Sequence, residues 1–396
     1  MSTTSALAAM ISMNLKSLPQ RLGTSSIVVM GTACVVAVLI SVLAIADGLA
    51  TAFAAAGHPD RAIVLRQGST VEGTSFISKA ESLTIAHAPG VKVASGGEPI
   101  AAAEVLLSAT LPTDLDSEQR AISLRGLATA SSSVRPEVAI VAGRTFRRGL
   151  HELIIGRAAQ QEFSGLTVGN RIALKGSQWT IVGVFESGGD AHESEFMADV
   201  DTLLSAFRRN YYSSVTVLLE SPAAFDAFKA AVTNNPALAV EVLREPEYYE
   251  KQSETAVKLL YLVTHVVTAI MAVGALFGSL NVMYSAINAR ATEIATLRAI
   301  GFGATGVVIS VMTESLILAI SGGLLGAALA WLLFNGNSMS MTPAASSTDQ
   351  VVFHLRIGAR LIATGFIWAC VVGFAGGLLP AIRATRMQVT TALHPA

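Results

Sequence analysis

Four runs of apolar residues, each long enough to cross a bilayer, punctuate the chain, and a stretch of different grain separates the first from the rest. A span needs about 20 mostly apolar residues in helical form. Residues 25–45 (SSIVVMGTACVVAVLISVLAI) carry no charge, and 259–283 (LLYLVTHVVTAIMAVGALFGSLNVM) are broken only by His265 and Asn281. Residues 304–334 hold one acid, Glu314, and 361–379 stop before Pro380, which predicts the helix end there. Glycines crowd the last two spans (Gly322, Gly323 and Gly326, then Gly373, Gly376 and Gly377), a pattern that lets helix backbones approach closely in lipid.

Between the first two spans the pattern shortens to alternating runs bounded by turn residues. AIVLR (62–66), AISLR (121–125) and SSVTVLL (213–219) read as strands, and RIAL followed by Lys175-Gly176-Ser177 and QWTIVGVFE reads as a hairpin. Phe225, Phe228 and Val232 share one helix face, with Ser221 and Pro222 suited to its N-cap and first turn. Residues 245–257 (EPEYYEKQSETAV) contain no Gly or Pro after Pro246, so a helix is expected to run from the domain into the second span. The fold class predicted is membrane α-helical: four transmembrane helices, with a large α+β extracytoplasmic domain inserted between the first and the second.

Composition agrees. Only 14% of the 396 residues are charged, against about 25% in an average soluble protein, and 52% are hydrophobic. The formal net charge of -1 offers no basic field for nucleic acid. Both cysteines, Cys34 and Cys370, sit in apolar runs, so the external domain has none to report on redox compartment. Orientation follows from Lys16 and Arg21 before the first span, Arg290 and Arg298 between the second and third, and Arg383 and Arg386 after the fourth. That asymmetry predicts cytoplasmic termini. A cleaved signal peptide fits the first run poorly, because signal cores extend only ~7–15 residues.

The expected layout is a cytoplasmic amphipathic helix over 1–24, a span at 25–46, the external domain at 47–255 and a second membrane region at 256–396. Within the last, spans fall near 257–284, 304–334 and 359–380, with a cytoplasmic segment at 288–303 and an external loop at 335–357.

Candidate chemistry is sparse. Gly301-Phe302-Gly303-Ala304-Thr305-Gly306 spells G-x-G-x-x-G but lacks the strand–turn–helix setting of a dinucleotide site, and no phosphate-binding loop occurs. His151-Glu152 and His192-Glu193 have no second histidine four residues on, and no G-x-S-x-G elbow is present. Asp190, His192, Glu193 and Glu195 form the one polar cluster that could bind a metal, but their Gly-rich surroundings (SGGDAHESE) favour a solvated loop. Glu314 is the most informative intramembrane residue: a carboxylate at that depth pairs within the bundle or marks function. His265 is explained by a hydrogen bond inside the bundle. Residues 288–303 (NARATEIATLRAIGFG) combine Ile294, Leu297 and Ile300 with Arg290, Glu293 and Arg298; such a segment either lies on lipid or docks a cytoplasmic partner.

At this segment the chain resembles a known family. Arg290, Glu293-Ile294-Ala295 and Leu297-Arg298-Ala299-Ile300-Gly301 are similar to the "R..EIA.LRA.G" pattern of FtsX-like, MacB-type ABC transporter permeases. Glu314-Ser315-Leu316 with the following glycines, and Pro380-Ala381, Arg383-Ala384 and Ala392-Leu393, resemble that family's later motifs. Residues 14–21 resemble its leading amphipathic helix, and GRTF…LIIG…VGNRIAL…WTIVGVFE, over 143–186, its MacB-type periplasmic domain. The resemblance implies a permease subunit in a bacterial inner membrane, paired as a homodimer or with a paralogue and driven by a separate cytoplasmic ABC ATPase that binds the ATP and Mg. The chain itself would be no enzyme and hold no cofactor, and a periplasmic adaptor could assist. Arg290, Glu293, Ile294, Leu297, Arg298 and Gly301 would form the ATPase-coupling segment, moving the second span and the external domain as one lever. Relatives use the same lever without transport to activate a cell-wall hydrolase, which keeps a signalling reading open.

Overall fold

The computed structural model describes residues 22–112, 119–163, 165–292, 295–296, 304–341 and 351–386. It divides into two compact units, one comprising residues 1–45, 260–337 and 355–396, the other 46–259 and 338–354.

Among the described residues, four helices are long and apolar enough to cross a membrane: α1 (Leu22–Ala56) and, after the external domain, three more. α1 outruns its predicted span, continuing helical to Ala56.

The external unit is built on a ten-stranded sheet. Its strands are β1 (Arg61–Arg66), β2 (Ala101–Pro112), β3 (Gln119–Leu127), β4 (Ala139–Gly143), β5 (Glu152–Gly156), β6 (Arg171–Leu174), β7 (Ser177–Glu186), β8 (Phe196–Asp199), β9 (Ser214–Leu218) and β10 (Val240–Arg244). They lie in the order β10-β1-β9-β2-β3-β8-β5-β7-β4, with β6 on β7. The three predicted strands and the hairpin are all present. Leu174 pairs with Ser177, leaving Lys175 (φ 49°) and Gly176 (φ 81°) as a two-residue turn with both φ positive, the twist that antiparallel strands favour.

Two cores form on this sheet. One packs Ile77, Ile85, Phe225, Phe228 and Val232 against β1, β9 and β10; Ile85 comes from α2 (Lys79–Ala86). The predicted face of Phe225, Phe228 and Val232 is the buried one, on a helix spanning Phe225–Thr233, but Ser221 makes no side-chain cap bond. The second core joins β2, β3, β5, β7 and β8 around Trp179 and Phe196. Gly156 ends β5 where the backbone of Glu193 leaves no room for a side chain.

β1 follows α1 and β10 leads directly into the second long helix, Glu245–Ala289, and the two strands pair antiparallel. That helix is unbroken for 45 residues, and it passes through 247–257 without interruption, as the absence of Gly and Pro in that stretch predicts.

Within the membrane unit the remaining long helices are Ala304–Phe334 and Ala359–Arg386. The second passes through Pro380, contrary to the expected stop. Proline removes one N–H and crowds the carbonyl four residues earlier, here that of Gly376, a residue without a side chain and flanked by Gly377. Neighbouring helices accommodate such a site in membranes. The glycines act as predicted. A Cβ on Gly322 would lie 2.6 Å from the Val29 carbonyl oxygen, and one on Gly377 2.7 Å from Ser315 Cβ. Ser315 Oγ donates to the Gly373 carbonyl at 2.7 Å.

The external loop between these two helices is not a plain connector. Residues Ser338–Met341 and Val351–His354 form an antiparallel two-stranded ribbon that belongs to the external unit.

Candidate functional site

Charged side chains that strands and turns bring together inside the external unit make its most distinctive site. Arg125 on β3 is 1% exposed and flanked by apolar Leu124 and Gly126. Its Nε and Nη2 donate to the two Glu195 oxygens at 2.6 and 2.8 Å. Nη1 and Nη2 donate to the two Glu72 oxygens at 2.9 Å each, and Nη1 also reaches Glu104 at 3.0 Å. Five contacts use the five N–H groups of one guanidinium. Ser214 donates to Glu72 at 2.5 Å and Ser131 to Glu104 at 3.0 Å, so the acids are also supported from behind.

A second arginine extends the cluster to the long helix. Arg135, 2% exposed, donates through Nη1 to Glu245 at 2.9 Å and to His192 Nε2 at 3.0 Å. Glu245 is the first residue of the helix Glu245–Ala289 and is fully buried. Its other oxygen accepts from the His58 backbone N–H at 3.0 Å and from Arg61 Nη1 at 3.4 Å, while Arg61 grips Glu137 with both terminal nitrogens. Gly57 passes so close that a Cβ there would lie 2.5 Å from Pro246 Cα. The residues leaving α1 are thus bonded to the residues opening the next long helix.

Since Arg135 can only donate, His192 Nε2 must accept, and the ring proton sits on Nδ1, 3.3 Å from Glu195. Tyr249 donates its hydroxyl to the same Nε2 at 3.1 Å, and the Glu72 N–H donates to the Tyr248 hydroxyl at 3.1 Å. Both tyrosines lie in the first turns of the helix that Glu245 opens.

Electrostatics follow. Burial pushes the Glu195 carboxyl up, but the Arg125 guanidinium outweighs it and holds the group far below the usual range. Glu72 is lowered against the same burial penalty by Arg125 and Ser214. Burial would lower Arg125, yet Glu195 and Glu72 raise it well above its ordinary value. Asp190 is the exception: burial dominates and raises it.

The expectation of a solvated loop at 187–195 is therefore overturned. Asp190, His192, Glu193 and Glu195 are all buried, because the two arginines draw His192 and Glu195 inward. Glu193 turns back to accept the Ser187 and Gly189 N–H groups at 2.8 and 2.7 Å. Ser194 accepts from Val352 N–H at 2.7 Å, so the strand Val351–His354 packs against the loop. Among the described residues, no group of three or more His, Cys, Asp or Glu is placed to hold a metal.

In the membrane unit Glu314 lies 3.4 Å from Arg290, both nearly buried. Glu293, Ile294, Leu297, Arg298 and Gly301 lie outside the described residues. His265 bonds to its own helix, 2.6 Å from the Tyr261 carbonyl, with its ring exposed and not inside the bundle as expected.

Against known proteins, residues 25–235 match the model of the MacB-like periplasmic core domain, more than half of the chain, and residues 265–389 match the FtsX-like permease C-terminal model. The chain is an FtsX/MacB-type permease. Its curated relatives include the macrolide export ATP-binding/permease protein MacB of Bdellovibrio bacteriovorus, 23% identical over 68% of this chain and 43% of that protein. The same protein of Hyphomonas neptunium is 24% identical over 57% of this permease and 35% of the relative. The permease thus aligns with less than half the length of either. Among solved structures, the extracellular domain of the transporter YknZ from Gram-positive bacteria covers 46% of the chain and 99% of that domain, at 21% identity and a TM-score of 0.37. The periplasmic region of MacB from Actinobacillus actinomycetemcomitans covers 47% and 89%, at 10% identity and a TM-score of 0.37.

Proposed function

We propose that this permease is the membrane subunit of an ATP-driven exporter or extractor, and that it works by moving its external domain as the output of a lever. The observation carrying this reading is the helix Glu245–Ala289. Its first residue is bonded to Arg135, Arg61 and the backbone after α1, and it continues without a break to the residue before Arg290. A helix locked at its head by buried charges transmits displacement better than a jointed linker.

The input is the segment 288–303. Glu293 and Arg298 supply polar contacts to a cytoplasmic ABC ATPase, with Ile294 and Leu297 as apolar anchors and Gly301 closing the segment. Arg290 fixes this segment to the bundle through Glu314. ATP and Mg belong to the partner. A second copy pairs along the long helix, where Leu262, Val266, Ile270 and Phe277 are exposed and Gly274 leaves open space. Both termini and the coupling segment face the cytoplasm of a bacterial inner membrane, and the large domain faces outward.

The test is to purify the full chain with its ATPase and substitute Ala256→Pro, within the helix. The ATPase should still co-purify, while ATP-dependent change in hydrogen exchange of the external domain disappears. Arg298→Glu should instead weaken ATPase binding. Recovery of no ATPase with nucleotide present, or an Ala256→Pro protein that still responds fully, would overturn the reading.

A further inference from the structure

The sheet face opposite the Trp179 core is incompletely covered near β4. Ile154, Val182, Phe185 and Met197 form a small cluster there, with Leu127, Val138 and Phe146 packed over it. Beside them opens a cavity of about 410 Å³, walled by Leu127, Val138, Ile140, Phe146 and Ile154. That volume falls in the range of small-molecule sites, which are mostly apolar with a few polar groups that fix orientation.

The polar groups here have one sign. Arg135 and Arg148 line the cavity, and no acidic residue does. Arg148 is exposed and donates to the hydroxyl of Thr129, a neutral partner. Arg135 is buried, and its Nε–H has no hydrogen-bond partner among the described residues. A buried donor left unmet is costly, and a ligand that meets it gains accordingly.

We propose that this cavity binds a small apolar monoanion, its body against Ile140, Phe146 and Ile154 and its charged group toward Arg148 and Arg135. Arg135 also holds Glu245, so the ligand is felt where the long helix begins. The site depends on the geometry of the external unit alone and stands whether or not an ATPase binds the chain.

The probe is naphthalene-1-sulfonate, dialysed to equilibrium against the full permease in phosphatidylcholine nanodiscs, with empty discs as the blank. One saturable site per chain is expected. Arg148→Glu should weaken it ~tenfold or more, as should Ile140→Asp, while Arg148→Lys retains most of the affinity. Both positions are exposed, so neither substitution threatens the fold. Bound probe should slow hydrogen exchange over 127–150 and alter it at 245–249. Uptake no greater than that of empty discs, or indifference to Arg148→Glu, would overturn the site. Equal affinity for naphthalene-1-sulfonamide would overturn its preference for an anion. Saturable binding without change at 245–249 would overturn its link to the helix.

Discussion

In the membrane unit the helices meet where side chains are missing, and in the external unit the elements meet where charged side chains converge. Gly322 and Gly326 bring the backbone of their helix against Val29 and Ala33, and Gly373 and Gly377 do the same at Ala319 and Ser315. Lipid offers little apolar driving force, so van der Waals contact through small residues holds such helices together. The external unit has water around it and apolar cores of its own, yet at its centre it buries Arg125 among Glu72, Glu104 and Glu195. Buried ion pairs are a poor source of stability relative to apolar packing, but removing one partner is severe. The difference suggests that the first device sets closeness, while the second sets which elements must stay in register.

The largest expected effect breaks the second device. Arg125→Met should leave buried Glu72 and Glu195 without their cation, and Glu104 with only the more distant Arg135, destabilising the external unit by about 3–5 kcal/mol. Hydrogen exchange over 119–127 and 194–199 of the full chain would accelerate, while the membrane helices keep their protection. Loss of protection in both units together would show that they do not differ in this way.

A smaller effect breaks the first device. Gly326→Val places a side chain against the Ala33 carbonyl and should cost about 1–3 kcal/mol, seen as a lower thermal midpoint in detergent. Gly278→Ala, where nothing lies within 4 Å, should be neutral or mildly stabilising. If both glycines behaved alike, close approach would not be what the helix packing depends on.

The smallest effect comes from acid. Glu72 and Glu195 are lowered in the folded state, so their stabilisation is complete above their unfolded value of about 4.3 and drains away as pH falls below it. Asp190 is raised, so its contribution is lost as pH rises and recovered on acidification, which blunts the slope. Exchange corrected for intrinsic rate should therefore rise in the external unit as the pH falls below about 4. The glycine contacts of the membrane unit contain no titrating group and should not follow.

Much of this was readable from the chain. Spans, hairpin, uninterrupted helix and glycine contacts each rest on local pattern, and local pattern survives folding. The charge cluster does not, because its members come from positions as far apart as 61 and 245. A signal was nonetheless present: Glu104 stands in AAAEVLL and Arg125 in AISLRGL, single charges inside otherwise apolar strands. Such residues must find partners or remain outside. The loop 187–195 misled because glycines and acids usually mean water, and nothing nearby announced the arginines that would bury it. The proline at 380 misled because the rule that stops a soluble helix is relaxed among neighbouring helices.

The bond between Ser194 and Val352 spans 158 residues of chain. During synthesis, the strands and the loop that ends them are made first, and the ribbon that covers them follows only after two further apolar helices. The external unit therefore cannot finish maturing as it is exported. Until those residues are made, the loop that ends at Glu195 lacks the strand that packs against it.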